Sequence, residues 1–243
     1  PKKMHIPEIV CDLANQKKGM ILVTGPAGSG KSTTLACIID QINQKRNTHI
    51  ITIEDPIEYL HSHNKSIVSQ REVFHDTKNY VAALKAALRE APEVILVGEM
   101  RDLETIDIAI TAAETGHLIF SSLHTVGAAN TIDRMIDVFP ASQQQQIRVQ
   151  LAMVLNAVIC QQLLPGVDGK MIPAFEIMIC NQAIRTLIRD GKTHQIDSTI
   201  SNSRQLGMIT MDEAIIELYK QGKISKETAL MYATNPKIVE RRL

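Results

Sequence analysis

Gly25-Pro26-Ala27-Gly28-Ser29-Gly30-Lys31-Ser32 is the stretch of this chain best equipped for chemistry. Its glycines let the backbone curl without Cβ clashes. Such a turn at the head of a helix gathers N–H groups around phosphate oxygens. Lys31 can reach terminal phosphates, and the Ser32 hydroxyl can ligate Mg²⁺. The expected ligand is a nucleoside triphosphate; the loop itself does not choose between adenine and guanine.

Hydrolysis also needs an acid close to the metal and the attacking water. Glu99 follows Gly98 and the apolar run Val94-Ile95-Leu96-Val97, so it stands at a strand's C-terminal edge, where a carboxylate meets the metal or its water shell. A second acidic group, Glu54-Asp55-Pro56-Ile57-Glu58, also follows an apolar strand. Three carboxylates at one strand end need a cation, basic partners or water, and one of them could polarise the attacking water. A solvated acidic turn is the competing explanation. His117 and His124 bracket a further apolar segment, and His124, at its far end, is the better placed to touch phosphate. His49, His61, His63 and His75 read as surface residues.

The elements that would position these groups alternate along the chain. Met20 to Thr24 reads as a buried strand before the loop, and Thr33 to Ile42 as the helix after it. Pro7 to Lys18 predicts a short amphipathic helix ended by Gly19. Further strands are expected at 49–53, 67–73, 94–97 and 118–123, and helices at 77–91, 103–115 and 128–138. This βαβ rhythm predicts an α/β fold: a RecA-like, doubly wound, mostly parallel sheet with helices on both faces. From Ser142 the character changes. Ser142 with Gln145 suggests a capping box before a helix to Asn156. Strand-like pieces at 158–164 and 171–178 flank a Pro165–Gly169 turn, and residues 181–234 are nearly all helical, with a second capping box at Thr210 and Glu213. The expected division is a P-loop core over 1–180 and a helical C-terminal lobe over 181–243.

Composition narrows the partners. Lys plus Arg equals Asp plus Glu at 26 each, aromatic residues are 3% and Trp is absent, which argues against a nucleic-acid binder. Cys11, Cys37, Cys160 and Cys180 are widely spaced, as expected of reduced structural thiols rather than a metal cluster. The long uncharged run at 149–167 carries Gln150, Asn156, Gln161, Gln162 and Pro165, too many polar groups for a membrane span. No signal peptide is visible. The opening Pro1-Lys2-Lys3, with the first methionine at Met4, is the start expected of a fragment or processed chain.

Taken in order, the phosphate loop at Gly25–Thr33, the acidic box at Thr52–Glu58, the segment from Gly98 to Thr105 and the histidine box at Gly116–Thr125 resemble the type IV pilus retraction ATPases (PilT family) of the secretion ATPase superfamily. A fifth segment, Ala183-Ile184-Arg185-Thr186-Leu187-Ile188-Arg189-Asp190, is similar to that family's C-terminal signature, departing at Thr186 and Asp190, where Asn and Glu are common. By itself it reads as an amphipathic helix with Ile184, Leu187 and Ile188 inward and Arg185 and Arg189 outward. The paired-cysteine insert of extension and secretion relatives is not seen.

The resemblance implies a homohexameric ATPase motor for pilus retraction and twitching motility, working at the inner face of the cytoplasmic membrane. Its implied partners are a polytopic inner-membrane platform protein, with pilin moved only indirectly, and no nucleic acid. Carried over by position, Gly28, Ser29, Gly30, Lys31, Ser32 and Thr33 would hold ATP. Ser32 and Glu99 would serve Mg²⁺, Glu58 would activate water and His124 would sense the γ-phosphate; the roles of Glu58 and Glu99 could be exchanged. An extension or secretion ATPase, a nucleic-acid motor on the same fold, and a nucleotide-gated binding module are the rival functions. Family members also carry an N-terminal domain of about 100 residues, an ordinary domain size. That domain supplies arginines to a neighbour's nucleotide, and arginine supply in trans is worth on the order of a thousandfold or more. The expectation is that this chain alone binds ATP, turns it over slowly and assembles poorly.

Overall fold

The structure, a computed structural model, describes residues 5–243; residues 1–4, within the span assigned to the P-loop core, lie outside the described residues. A seven-stranded sheet carries the chain in the order β3-β2-β4-β5-β1-β6-β7. The strands are β1 (Gly19–Thr24), β2 (His49–Glu54), β3 (Ile67–Glu72), β4 (Val94–Val97), β5 (Leu118–Leu123), β6 (Leu155–Pro165) and β7 (Met171–Ile179). All neighbours are parallel except β6 and β7, which form an antiparallel pair. The expected mostly parallel α/β sheet is thus what forms.

Burial explains the pattern. Every residue of β1, β4 and β5 is buried, as strands covered on both faces must be. Alternate residues feed two cores. Ile21, Val23, Ile50, Leu96 and Phe120 meet Val10 of α1 (Glu8–Asp12) and Leu35, Ile38, Ile39 and Ile42 of α2 (Lys31–Lys45). Met20, Leu22, Ile51, Ile95 and Ile119 face the other way. There they join α3 (Tyr80–Ala87), α4 (Leu103–Glu114), α5 (Ala128–Asp137) and α6 (Ala141–Val154). The same core continues through Ile184 and Ile188 of α7 (Gln182–Arg189), Ile200 of α8 (Ile196–Ser201) and Ile215 of α9 (Met211–Lys220). It also takes in Ala229 of α10 (Lys226–Tyr232). The last helix is α11 (Pro236–Glu240).

Several expectations need correction. The segment before β1 is not one helix to Lys18: α1 gives way to a 3-10 turn over Leu13–Asn15. Gly19 opens β1 rather than ending a helix. Its φ of 108° and the proximity of Asn156, whose side chain would lie 2.4 Å from an added Cβ, explain why glycine is there. The helix expected at 77–91 is only Tyr80–Ala87, because Asn79 caps its start and Thr77 pairs with Val73 in an isolated bridge. Ser142 forms no capping box; Pro140 is the N-cap of α6 and no side chain caps it. The box at Thr210 and Glu213 is present in full. Among the described residues no helix is long and apolar enough to cross a membrane.

Candidate active site

Parallel pairing of β2, β4, β5 and β1 sends their C-terminal ends to one edge of the sheet. Ligands of open α/β sheets bind outside that edge. The phosphate loop leaves β1 there, the acidic box leaves β2, Glu99 follows β4 and His124 follows β5. A cleft of about 280 Å³ at this edge is lined by Lys31, Ser32, Glu58, Glu99, Arg101 and His124, among others. A larger groove of about 670 Å³ runs along β7 past Phe175, Ile177 and Leu218, but it holds none of these groups. Chemistry, not size, selects the smaller cleft.

The loop is built as an anion cradle. Gly30, at φ 89°, is the N-cap of α2 and brings no side chain to its first-turn N–H groups. Those groups are therefore left open to an anion, at the positive end of the helix dipole. Gly25, at φ 144°, has no room for a side chain: an added Cβ would sit 2.1 Å from the Gln161 carbonyl oxygen. Gly28 faces open space. Ser29 Oγ is buried with no partner among the described residues, an orphaned hydroxyl in the wall of the cradle.

Lys31 is 8% exposed, and its ammonium donates to the carbonyls of Gly25 and Pro26, both at 2.9 Å. Burial lowers its pKa, and Glu99 and Glu58 oppose that shift. Lys31 Nζ also lies 3.4 Å from His124 Nδ1, and His124 Nε2 lies 3.3 Å from Glu99 Oε1. Glu99 Oε2 accepts from Arg101 at 2.6 Å. Burial raises the Glu99 pKa, but the Arg101 hydrogen bond and His124 outweigh it, so the carboxyl is held below its ordinary value. Ser32 Oγ donates to Glu58 Oε1 at 2.9 Å. Lys31, His124 and Glu99 form one bonded set and Ser32 and Glu58 a second, side by side in the cleft because Lys31 and Ser32 are consecutive, although the five come from four separate segments.

The donor set fits Mg²⁺ arriving with a triphosphate. Ser32 and Glu99 both line the cleft and offer hard oxygens. Among the described residues no group of three or more His, Cys, Asp or Glu could cage a metal by itself. Mg²⁺ is characteristically held by few protein oxygens plus phosphates and water.

The acidic box is divided. Glu54 accepts from Thr52 Oγ1 at 2.7 Å and from Gln70 at 3.2 Å, so it braces β2 against β3. Glu58 alone reaches the phosphate loop. Thr33 Oγ1 turns outward to the Tyr59 hydroxyl at 2.7 Å. His61 and His49 are only half-exposed rather than surface residues, and His61 lines the cleft, where burial lowers its pKa. The signature helix buries Ile184 and Ile188, with Leu187 half-buried and Ala183 and Arg189 exposed. Arg185 is not simply outward: its guanidinium donates to the Ala152 and Met153 carbonyls and so closes the C-terminus of α6.

Three contributors escaped the sequence reading. Arg101 orients Glu99, and Tyr59 covers Thr33. Gln161 accepts from Thr34 Oγ1 at 2.7 Å and packs under Gly30. Only Arg101 left a trace in the sequence, as a cation two residues from an acid.

The comparisons fit this geometry. Residues 7–241 match the model of the family described as "Type II/IV secretion system protein". The chain is 50% identical to a "Twitching motility protein" of Neisseria gonorrhoeae over 96% of its own length and 63% of that protein. It is 49% identical to the "Type IV pilus retractation ATPase PilT" of Pseudomonas aeruginosa, over 97% of the chain and 68% of that protein. A solved structure described as "Crystal Structure of the Pilus Retraction Motor PilT and Bound ADP" superposes with a TM-score of 0.93 at 52% identity, covering 99% of this chain and 68% of that one. The chain thus spans about two thirds of the relatives it matches. Family model, relatives and fold together show that it belongs to the type II/IV secretion system protein family.

Proposed function

We propose that this chain is the ATP-hydrolysing part of a motor for type IV pilus retraction and twitching motility. The cluster Lys31–His124–Glu99, with Ser32 and Glu58 beside it, carries the proposal. The named relatives, a retraction ATPase and a retraction motor with bound ADP, support the choice of ATP and of retraction. The signature segment Ala183–Asp190 supports retraction over extension or secretion.

Lys31 exchanges the Gly25 and Pro26 carbonyls for the terminal phosphate, and the orphaned Ser29 hydroxyl and the first-turn amides of α2 hold the phosphates between them. Mg²⁺, held by Ser32 and supported by Glu99, would neutralise charge on the phosphate oxygens. Glu58 accepts the proton of the attacking water. His124, between Lys31 and Glu99, registers the γ-phosphate. Release of the phosphate frees these charged contacts, which is how hydrolysis becomes motion in switches of this kind.

The working unit proposed is a homohexameric ring on an inner-membrane platform protein, at the inner face of the cytoplasmic membrane, with pilin moved indirectly. Leu60 and Phe74, 87% and 76% exposed on the loops after β2 and β3, offer apolar surface for a subunit contact. The P-loop core is assigned to 1–180 and the helical lobe to 181–243.

Phosphate release and nucleotide binding by the full protein test this assignment. Lys31→Ala should weaken nucleotide binding roughly ten- to a hundredfold, the scale of lost charge-assisted hydrogen bonds. Glu99→Gln should bind nucleotide nearly normally yet lose about a hundredfold or more in kcat. A Glu99→Gln protein that hydrolyses ATP at the parental rate would refute the catalytic assignment.

A further inference from the structure

Glu176 is a carboxylate that none of the steps above uses, and it is only 6% exposed in the middle of β7. Its two oxygens are shared between two helices. Oε1 accepts from the Ala128 amide at 2.8 Å, and Oε2 accepts from the Met211 amide at 3.1 Å. Ala128 and Met211 are the first residues of α5 and α9, each a ten-residue helix. A carboxylate at two helix N-termini satisfies orphan N–H groups and meets the positive end of both dipoles. Burial nonetheless raises its pKa, against these two bonds. Such a group is costly to keep in a core unless its geometry is needed.

The two helices lead to different places. Ala128 is four residues beyond His124, at the end of the loop that carries it, whereas α9 belongs to the C-terminal helices. A third link reaches the phosphate loop. Glu176 pairs across the hairpin with Cys160, whose thiol it engages, and Cys160 accepts from Thr24 Oγ1 at 3.1 Å. Thr24 immediately precedes Gly25. One buried side chain is therefore bonded, directly or through Cys160, to the phosphate-loop strand, the His124 loop and the C-terminal helices.

We infer that Glu176 is a positioning residue that passes displacement of the His124 loop to α9, so that the nucleotide state of the cleft is felt by the C-terminal helices. The inference rests on the proposed nucleotide site. Two rigid bonds to one carboxylate make the starts of α5 and α9 move together, and packed elements shift between discrete arrangements rather than stretching.

Hydrogen exchange on the full protein, with and without a non-hydrolysable ATP analogue, reads this directly. In the parent protein the analogue should alter exchange both at residues 125–131 and at 210–214. Glu176→Gln keeps the shape but offers an amide N–H₂ where one backbone N–H needs an acceptor. It should retain the response at 125–131, lose the one at 210–214, and lower kcat about tenfold with little change in KM, the scale of one charge-assisted hydrogen bond. Met211→Pro supplies a second variant. It deletes one donor at a first-turn position that tolerates proline, after a Thr210 that is already extended, and also truncates the buried Met211 side chain, so Met211→Leu, which keeps the donor, is its control. It should uncouple α9 in the same way. A parent protein that binds the analogue without any change at 210–214 overturns the inference, as does a Glu176→Gln protein whose 210–214 response is intact. Failure of the parent to bind the analogue at all would instead remove the nucleotide site on which the inference rests.

Discussion

Lys31, Glu54, Glu58, Glu99 and Arg101 in the cleft are each held by a neighbour, so removing one changes the next. Arg101 is the clearest case, because its hydrogen bond helps keep Glu99 below the ordinary carboxylate range against the effect of burial. A depressed carboxyl pKa is a contribution present above the unfolded value and lost as pH falls through the folded one. Arg101→Ala should therefore shift the acidic limb of the pH–kcat profile to higher pH, read from phosphate release across the acid range. An unmoved limb would mean that Glu99 is not the titrating group. Gln161 makes a different point. It is 4% exposed and accepts from the buried Thr34 hydroxyl across 127 residues of sequence. Gln161→Ala strands that hydroxyl and should cost about 1–3 kcal/mol in denaturant unfolding. The glycine loop, Glu99 and His124 were legible because each is a local pattern: a spacing, or an acid or imidazole ending an apolar run. Gln161 and Glu176 were not, since their partners, Thr34 of α2, Ala128 of α5 and Met211 of α9, arrive from helices distant in sequence and no local pattern records them.

At the scale of elements, the apolar runs disclosed most strands to within a residue, because burial on both faces favours apolar residues and admits polar ones, such as Ser121 and Ser122, only where they are hydrogen-bonded. Helix starts were less legible. α6 begins after Pro140 without a side-chain cap, one residue ahead of Ser142, and α3 begins after Asn79, because Thr77 is taken up in the bridge to Val73. The signature helix shows how one sequence can serve two purposes. Arg185 closes α6 through two carbonyls, whereas Arg189 is exposed and its guanidinium pairs with the neighbouring Asp190. Arg185→Ala should lower stability by about 1 kcal/mol or more, while Arg189→Ala should stay within about 0.5 kcal/mol. Thermal unfolding of the pair distinguishes them. Equal losses would refute the capping role.

For the whole molecule, the two cores on either side of one sheet make binding and stability a single equilibrium. A ligand of the folded state at a hundred times its Kd stabilises by about 2.7 kcal/mol. For a chain of 243 residues, that corresponds to a rise in Tm of roughly 5–10 °C. At a hundred times the parent's Kd, ATP with Mg²⁺ should produce such a rise in the parent protein and a smaller one, about 1–6 °C, in Lys31→Ala, measured by differential scanning fluorimetry.

Because β1, β2, β4 and β5 all run the same way, their opening ends are as uniform as their closing ends. Lys17, Lys18, Asn47 and Gly116 sit at that quiet margin, exposed and a full strand length away from the phosphate loop. It is the natural berth for a dye, a tether or an inserted tag. A bead or surface attached there would leave the chemistry untouched while reporting on any movement the molecule makes.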